Sequence, residues 1–336
     1  MSEEQVRIEL ENISKVYNGP KKTTITAVEP LTLSIGGSQV FGVLGSNGAG
    51  KTTTIKMICG LVTPTTGNIR LNGYDVKRQR RQAAQQIGAV LEGTRNIYWR
   101  LSAWDNLMYF GRLKGCTGKQ LVERGERLLR ELDLWERRDH QIRHFSRGMQ
   151  QKIAVASALI ADPPIVLLDE PTLGLDIQAA LTVKNWIARL AREEGKTIIL
   201  TTHQLDLAQD LCEHVAIMSK GQILANRPLS ELLCLFQKDR YQLKVRGELT
   251  TRQWEQLEGW TRTCENGETQ LDGVIDNQDQ LHQILTRLHQ WQLPIIAVNR
   301  EEPDLEDVFV RMITQEQEMI SQEEEKQHAH DFAHHR

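Results

Sequence analysis

Cysteine, aromatic residues and long apolar runs are all scarce in this 336-residue sequence. The five cysteines are odd in number and lack C-x-x-C spacing, which fits a reducing cytoplasm and predicts thiols buried as small apolar side chains. No apolar stretch approaches the roughly 20 residues that a membrane-spanning helix needs. The acidic start MSEEQVRIELE also lacks the apolar core of a secretory signal. We therefore expect any membrane role to depend on a partner.

A strong excess of charge is missing as well. The chain has 41 Lys and Arg against 44 Asp and Glu, a formal net charge of -3, which gives no reason to expect nucleic-acid binding. Hydrophobic residues make up 40% of the chain and charged residues 25%, as is usual for a globular protein with a substantial core. The length allows one large α/β domain and a smaller second domain.

The most informative stretch is GSNGAGKTTT, Gly45 to Thr54. It follows an apolar run, VFGVL, that predicts a buried strand, and it leads into a predicted helix. The pattern G-x-x-x-x-G-K-T in this position is a phosphate-binding P-loop, in which backbone N–H groups surround an anion. Lys51 can reach the β- and γ-phosphates of a nucleotide, and the Thr52 hydroxyl can bind Mg²⁺. We expect a nucleoside triphosphate to contact Gly45, Ser46, Asn47, Gly48, Ala49, Gly50, Lys51, Thr52 and Thr53.

Two carboxylates follow another predicted buried strand, IVLL. Ligands of parallel sheets bind where the strands end, and Asp169 and Glu170 come directly after this strand. Asp169 suits a ligand of Mg²⁺, bound directly or through water, and Glu170 suits the general base that polarises the attacking water. His203 ends the adjacent predicted strand and could bind the γ-phosphate; the alternative is an ordinary surface or core histidine.

Tyr17 precedes the P-loop in the segment KVYNGPKK, which predicts an exposed turn. An aromatic ring there could stack on adenine, an interaction of roughly 1–3 kcal/mol. The alternative is a surface tyrosine that closes the turn.

Taken together, GSNGAGKT, FSRGMQ, VLLDEP, LGLD and TTH resemble the motifs of the nucleotide-binding subunits of ATP-binding-cassette (ABC) transporters over roughly residues 5–235. The resemblance implies an ATP hydrolase that needs ATP and Mg²⁺. It also implies an α/β P-loop fold with a mixed-sheet core, an antiparallel β subdomain and a helical subdomain. We place this domain at residues 5–236 and its helical insert at about 93–162.

The segment FSRGMQ resembles the signature motif of the family, usually LSGGQ. Ser146 and Gly148 are retained, whereas Arg147 and Met149 differ from the usual residues. In the family this segment contacts the γ-phosphate bound to the opposite subunit, and Asp176 matches a loop that crosses the dimer seam. The resemblance therefore implies a head-to-tail dimer of two copies, with Ser146, Arg147, Gly148 and Asp176 among the residues that complete each ATP site.

Glu92 stands where the family has a glutamine that touches Mg²⁺ and the lytic water. A carboxylate can still bind Mg²⁺, but it also repels the phosphates. A Glu-Gly sequence at this position resembles that of exporters in the drug-resistance branch.

The loop after Glu92 is rich in aromatic residues. Tyr98, Trp99 and Trp104 predict either an interface for a short helix of a membrane subunit or a local core under the helical insert.

The C-terminal region predicts a β-α-β-β-α-β order, typical of a small ferredoxin-like accessory domain, at residues 237–314. Its end, PDLEDVFVRM, resembles the cytoplasmic subunits of ABC-2-type exporters. We expect this domain to regulate the ATPase or to support the dimer.

The acidic, histidine-rich composition of the tail at 315–336 predicts disorder, with weak Zn²⁺ or Ni²⁺ binding as the alternative.

The interpretation that follows is the motor subunit of an exporter of drug, lipid or polysaccharide-like cargo. It would bind an integral membrane permease at the cytoplasmic face of the plasma (inner) membrane, with no nucleic-acid partner. The alternatives are an importer subunit and a soluble ATPase that acts on ribosomes or DNA.

Overall fold

A computed structural model describes residues 6–19, 23–93, 96–235, 240–265, 267–275, 278–301, 304–316 and 318. Its contacts divide the chain into one unit at Met1–Leu229 and a second at Ser230–Arg336. In the described residues, no helix is both long enough and apolar enough to cross a membrane.

The first unit begins with an antiparallel sheet in which the order of strands is β2-β1-β4-β5. A long hairpin of β1 and β2 forms most of it, and one face packs into the apolar core through Ile8, Leu10 and Ile13. The strands are β1 (Ile8–Asn18), β2 (Thr24–Ile35), β4 (Thr66–Leu71) and β5 (Tyr74–Asp75).

The central sheet has six strands in the order β10-β9-β3-β8-β7-β6. All its neighbouring pairs are parallel except β10 with β9. Every residue of β3, β7 and β8 is buried, because apolar side chains cover both faces of a parallel sheet. The strands are β3 (Val40–Leu44), β6 (Ile87–Val90), β7 (Ile165–Asp169), β8 (Thr197–Thr202), β9 (His214–Ser219) and β10 (Gln222–Pro228).

Helices fill the connections of this sheet. The segment between β6 and β7 contains three of them, and α4 buries Leu121, Leu128 and Leu129 on one face, as the leucine spacing predicts. The helices of this unit are α1 (Lys51–Ile58), α2 (Arg80–Gln85), α3 (Ala103–Leu113), α4 (Gly118–Glu131), α5 (Arg147–Leu159), α6 (Ile177–Arg192) and α7 (Leu205–Leu211).

The second unit has the predicted β-α-β-β-α-β order after a short helix, α8 (Leu229–Leu235), which starts at the division between the units. Its four strands are all antiparallel in the order β12-β13-β11-β14, the arrangement of a ferredoxin-like sandwich. The elements are β11 (Arg240–Arg246), α9 (Thr251–Trp254), β12 (Thr261–Glu265), β13 (Glu268–Val274), α10 (Gln278–Gln290), β14 (Ile295–Glu301) and a final helix, α11, at 305–316.

Several details differ from the sequence expectations. The contacts divide the chain at Leu229, before the expected end of the first domain at residue 236. Cys234 and Cys264 are exposed, so the prediction of buried thiols was wrong for them; Cys212 is buried, and the other two are half-buried. The predicted tail lies, apart from residues 315, 316 and 318, outside the described residues.

Candidate functional site

The phosphate loop connects β3 to α1. Gly50 is the residue before the helix and has a φ of 103°, a left-handed conformation that favours glycine. A Cβ on Gly50 would also lie 2.7 Å from the backbone oxygen of Ala27. The loop therefore needs glycine at this position for two reasons.

Lys51 is the first residue of α1 and only 7% exposed. Its Nζ donates hydrogen bonds to the backbone oxygens of Gly45 at 2.6 Å and Ser46 at 3.1 Å. Burial lowers the pKa of Lys51, while the nearby carboxylates of Glu170, Asp169 and Glu92 act in the opposite direction. The same electrostatic neighbourhood thus contains the P-loop lysine and all three carboxylates predicted from the sequence.

Asp169 ends β7 and is almost fully buried, at 2% exposure. Its Oδ1 accepts a hydrogen bond from the Thr201 hydroxyl, and its Oδ2 lies 3.4 Å from the backbone nitrogen of Glu92. A buried carboxylate with fixed donors is held in one orientation, as a metal ligand must be.

Glu170 has a φ of 51°, which is rare for a residue other than glycine. Its backbone N–H donates a hydrogen bond to the backbone oxygen of Thr201 at 3.0 Å. Its side chain is held at both oxygens, by Nδ1 of His203 at 2.8 Å and by the Thr202 hydroxyl at 3.2 Å. A strained residue whose carboxylate is oriented in this way suits a general base that must point at one water molecule.

Thr201 and Thr202 were not predicted as site residues. They end β8, the strand next to β7, and both are fully buried. Two buried threonines immediately before His203 were the available signal, because polar side chains at the end of a buried strand need partners.

The donor set fits a magnesium ion. Thr52, Asp169 and Glu92 offer only oxygen atoms, which Mg²⁺ prefers. Among the described residues no group of three or more His, Cys, Asp or Glu side chains could hold a metal. Such a group is not needed where substrate phosphates supply most of the ligands.

The signature segment forms the N-terminus of α5, where the Ser146 hydroxyl accepts a hydrogen bond from the Met149 N–H at 3.3 Å. Arg147 is exposed, and its guanidinium packs against Gly174, whose missing Cβ would lie 2.6 Å from the guanidinium carbon. Asp176 caps α6 by accepting from the Ala179 N–H at 2.8 Å.

Arg147 and the carboxylates border one cleft, with a volume of about 80 Å³. Its lining includes Glu92, Trp99, Arg147, Asp169 and Glu170. Within one chain, therefore, Arg147 of the signature segment lines the same cleft as the predicted general base and the two predicted metal-binding carboxylates.

The predicted aromatic residues have different environments. Tyr17 is 40% exposed, but the predicted turn was wrong for this residue, because it lies in β1 opposite Ile25. Tyr98 and Trp99 are exposed on the loop before α3. Trp104 lies within α3 rather than on that loop, half-buried and edge-on against Trp135, the environment that the alternative of a local core describes.

Two family models match the sequence. One describes an ABC transporter and matches residues 28–173. The other describes a domain of unknown function and matches residues 240–299, inside the second unit.

Curated relatives include both exporters and importers. Nod factor export ATP-binding protein I of Cupriavidus metallidurans is 38% identical over 67% of this chain and 72% of its own length. Daunorubicin/doxorubicin resistance ATP-binding protein DrrA of Streptomyces peucetius is 30% identical over 91% of this chain and 92% of its own. Methionine import ATP-binding protein MetN 1 of Bacillus cereus is 33% identical over 67% and 66%.

Solved structures of similar chains support the fold. An ATP-binding subunit of an ABC transporter aligns with a TM-score of 0.62 and 30% identity, covering 68% of this chain and 93% of that one. A dimeric, post-hydrolysis ATP-binding cassette bound to ADP and Pi aligns with a TM-score of 0.61 and 26% identity, covering 66% and 98%.

Proposed function

Because this chain belongs to the ATP-binding subunits of ABC transporters, which hydrolyse ATP, we propose that it is the motor of an ABC-2-type exporter. In this proposal ATP closes a dimer of two copies, and a separate membrane permease converts the closure into transport. The subunit acts at the cytoplasmic face of the membrane. Its cargo is a drug, a lipid or a polysaccharide-like molecule.

The observation that carries the proposal is the orientation of Glu170. His203 and Thr202 hold its two carboxylate oxygens, at the end of the strand that also carries Asp169. Glu170 is the general base in the proposed reaction, and His203 keeps it aimed at the lytic water and contacts the γ-phosphate. Lys51 and the N–H groups from Gly45 to Thr53 bind the phosphates, and Tyr17 stacks on the adenine.

Mg²⁺ would be held by Thr52, Asp169 and Glu92 together with the phosphates. When bound, the ion neutralises charge that develops on the phosphates. Asp169 is suited to this role because Thr201 fixes one of its oxygens.

The second copy is proposed to complete each site. Ser146, Arg147 and Gly148 lie at the N-terminus of a 13-residue helix, α5, whose partial positive charge favours a phosphate. Asp176 lies at the seam in this arrangement. Two copies are supported by the similar structure that is dimeric and bound to ADP and Pi.

Export is favoured over import by the extent of one alignment. The daunorubicin/doxorubicin resistance relative aligns over 91% of this chain, which must include part of the second unit, whereas the methionine import relative aligns over 67%. The second unit is proposed to support the exporter dimer or to regulate it.

Affinity purification from detergent-solubilised membranes of the native host tests this function. A tagged chain should bring with it a protein with about six apolar segments of ~20 residues. In inside-out vesicles, ATP should drive cargo from the medium into the lumen, and a Glu170→Gln subunit should stop the transport while keeping the permease bound. Co-purification of ribosomes instead would overturn the transport function, and a solute-binding protein in the complex would overturn export.

A further inference from the structure

Lys15 lies beside the tyrosine proposed to stack on adenine. Its Nζ is 5.0 Å from the centroid of the Tyr17 ring. An ammonium within about 6 Å of an aromatic centroid is attracted to the negative face of the ring. The exposed ring of Tyr17 is therefore held on one side by a charge.

A hydrogen bond to the backbone also holds the Lys15 ammonium in place. Lys15 Nζ donates a hydrogen bond to the backbone oxygen of Thr63 at 2.9 Å. Thr63 belongs to the segment at residues 63–66 that follows the P-loop helix α1. Three further hydrogen bonds join β1 to this segment: Thr65 N to Ser14 O at 2.8 Å, Ser14 Oγ with Thr66 Oγ1 at 2.7 Å, and Val16 N to Thr65 Oγ1 at 3.0 Å.

We propose that Lys15 is a positioning residue for adenine recognition. It connects the Tyr17 ring to the segment after α1, and α1 begins at the phosphate loop, so the base-binding ring and the phosphate-binding loop belong to one connected structure. A ring that is already ordered loses less freedom when the base binds. The inference rests on the proposed ATP site, in which Tyr17 stacks on the base.

Calorimetric binding of ADP and of pyrophosphate separates base recognition from phosphate recognition, and neither ligand is a substrate for hydrolysis. Lys15→Met keeps the length of the side chain and removes the charge. It should raise the Kd for ADP about two- to fivefold and leave the Kd for pyrophosphate unchanged. Lys15→Arg should restore ADP binding, because a guanidinium also packs on aromatic faces.

A double-mutant cycle identifies the partner. Tyr17→Ala alone should raise the Kd for ADP at least about fivefold, and Lys15→Met should add nothing in that background. Lys119→Met is the matched control, because Lys119 is exposed on α4, where it pairs with Glu123 at the next turn.

The outcomes are distinct. If Lys15→Met weakens ADP and pyrophosphate equally, or weakens ADP as much without the Tyr17 ring, Lys15 does not act through Tyr17 and the inference is overturned. If Lys15→Met has no effect while Tyr17→Ala weakens ADP, only the role of Lys15 fails. If Tyr17→Ala leaves ADP binding intact, adenine stacking itself fails, and the role of Lys15 fails with it.

Discussion

The two units of this chain bury their sheets in different ways. In the first unit, β3, β7 and β8 are buried at every residue. In the second unit, β13 alternates between buried and half-buried residues, and β12 is exposed along its whole length. A sheet covered on both faces can present polar groups only at its ends. That is where Asp169, Glu170 and His203 meet.

The C-terminal sheet has the opposite arrangement of its polar residues. Its open face carries charged side chains such as Lys244 and Glu268, which pair with each other at 2.6 Å rather than converging on a ligand. Charged residues that are spread over an accessible face and neutralise each other in pairs give no concentrated electrostatic field. We therefore expect catalysis to depend on the strand ends of the first unit and to be insensitive to carboxylates of the second.

Substitution of Glu170, which follows β7, is the strongest test of this contrast between the two units. Glu170→Gln should lower ATP turnover by about 10²–10³-fold while ATP still binds, because the reacting water loses the oriented carboxylate that would polarise it. Glu268→Gln is the matched control in the second unit and should leave turnover unchanged. Steady-state phosphate release and equilibrium ATP binding measure both. Normal hydrolysis by Glu170→Gln would remove this residue from its role.

Packing around glycine gives the second prediction, since each unit has a glycine that leaves no room for a methyl group. A Cβ on Gly88 would collide with the backbone oxygen of Ala158 in α5, whereas one on Gly273 would collide with the ring of Trp260. A helix backbone yields less easily than a side chain. We expect Gly88→Ala to cost about 3 kcal/mol and Gly273→Ala about 1–2 kcal/mol of local stability.

Hydrogen exchange measured by mass spectrometry can assign these losses to each unit, because it reports local opening free energies. Protection should fall around β6 for Gly88→Ala and around β13 for Gly273→Ala. Equal losses would indicate that α5 shifts as readily as the Trp260 ring, and a loss in the other unit would mean that the two units unfold together.

The two units also differ in which structural features could be predicted from the sequence. In the first unit the P-loop and Asp169-Glu170 were predictable, because fixed spacing and the ends of apolar runs determine where they lie. Thr201 and Thr202 were not, because their partners come from another strand and no local pattern specifies the pairing. The packing of Arg147 on Gly174 likewise depends on tertiary structure.

Local pattern also explains the remaining differences. The helix α2 was missed because its sequence, RRQAAQ, has one buried residue, Ala83, and so no apolar periodicity. In the second unit the order of strands and helices was predicted, and β11 alternates as a half-buried strand should, with Leu243 and Val245 buried. Its function was not predictable, because a fold without a motif does not specify chemistry.

A milder change is expected at Glu92, whose carboxylate also acts on Lys51 in the first unit. Glu92→Gln keeps an oxygen for Mg²⁺ and removes one of the three negative charges that act on Lys51. The fall in turnover should therefore be far smaller than the roughly 10²-fold loss expected for a missing catalytic group. Binding of ATP should tighten, because repulsion toward the phosphates falls.

The variant Glu92→Ala offers no side-chain oxygen to the metal and should lose turnover. Steady-state kinetics at several Mg²⁺ concentrations can measure both variants. If Glu92→Gln lost hydrolysis entirely while still binding ATP, the charge of Glu92 would be required, and its role as an oxygen ligand of the metal would be wrong.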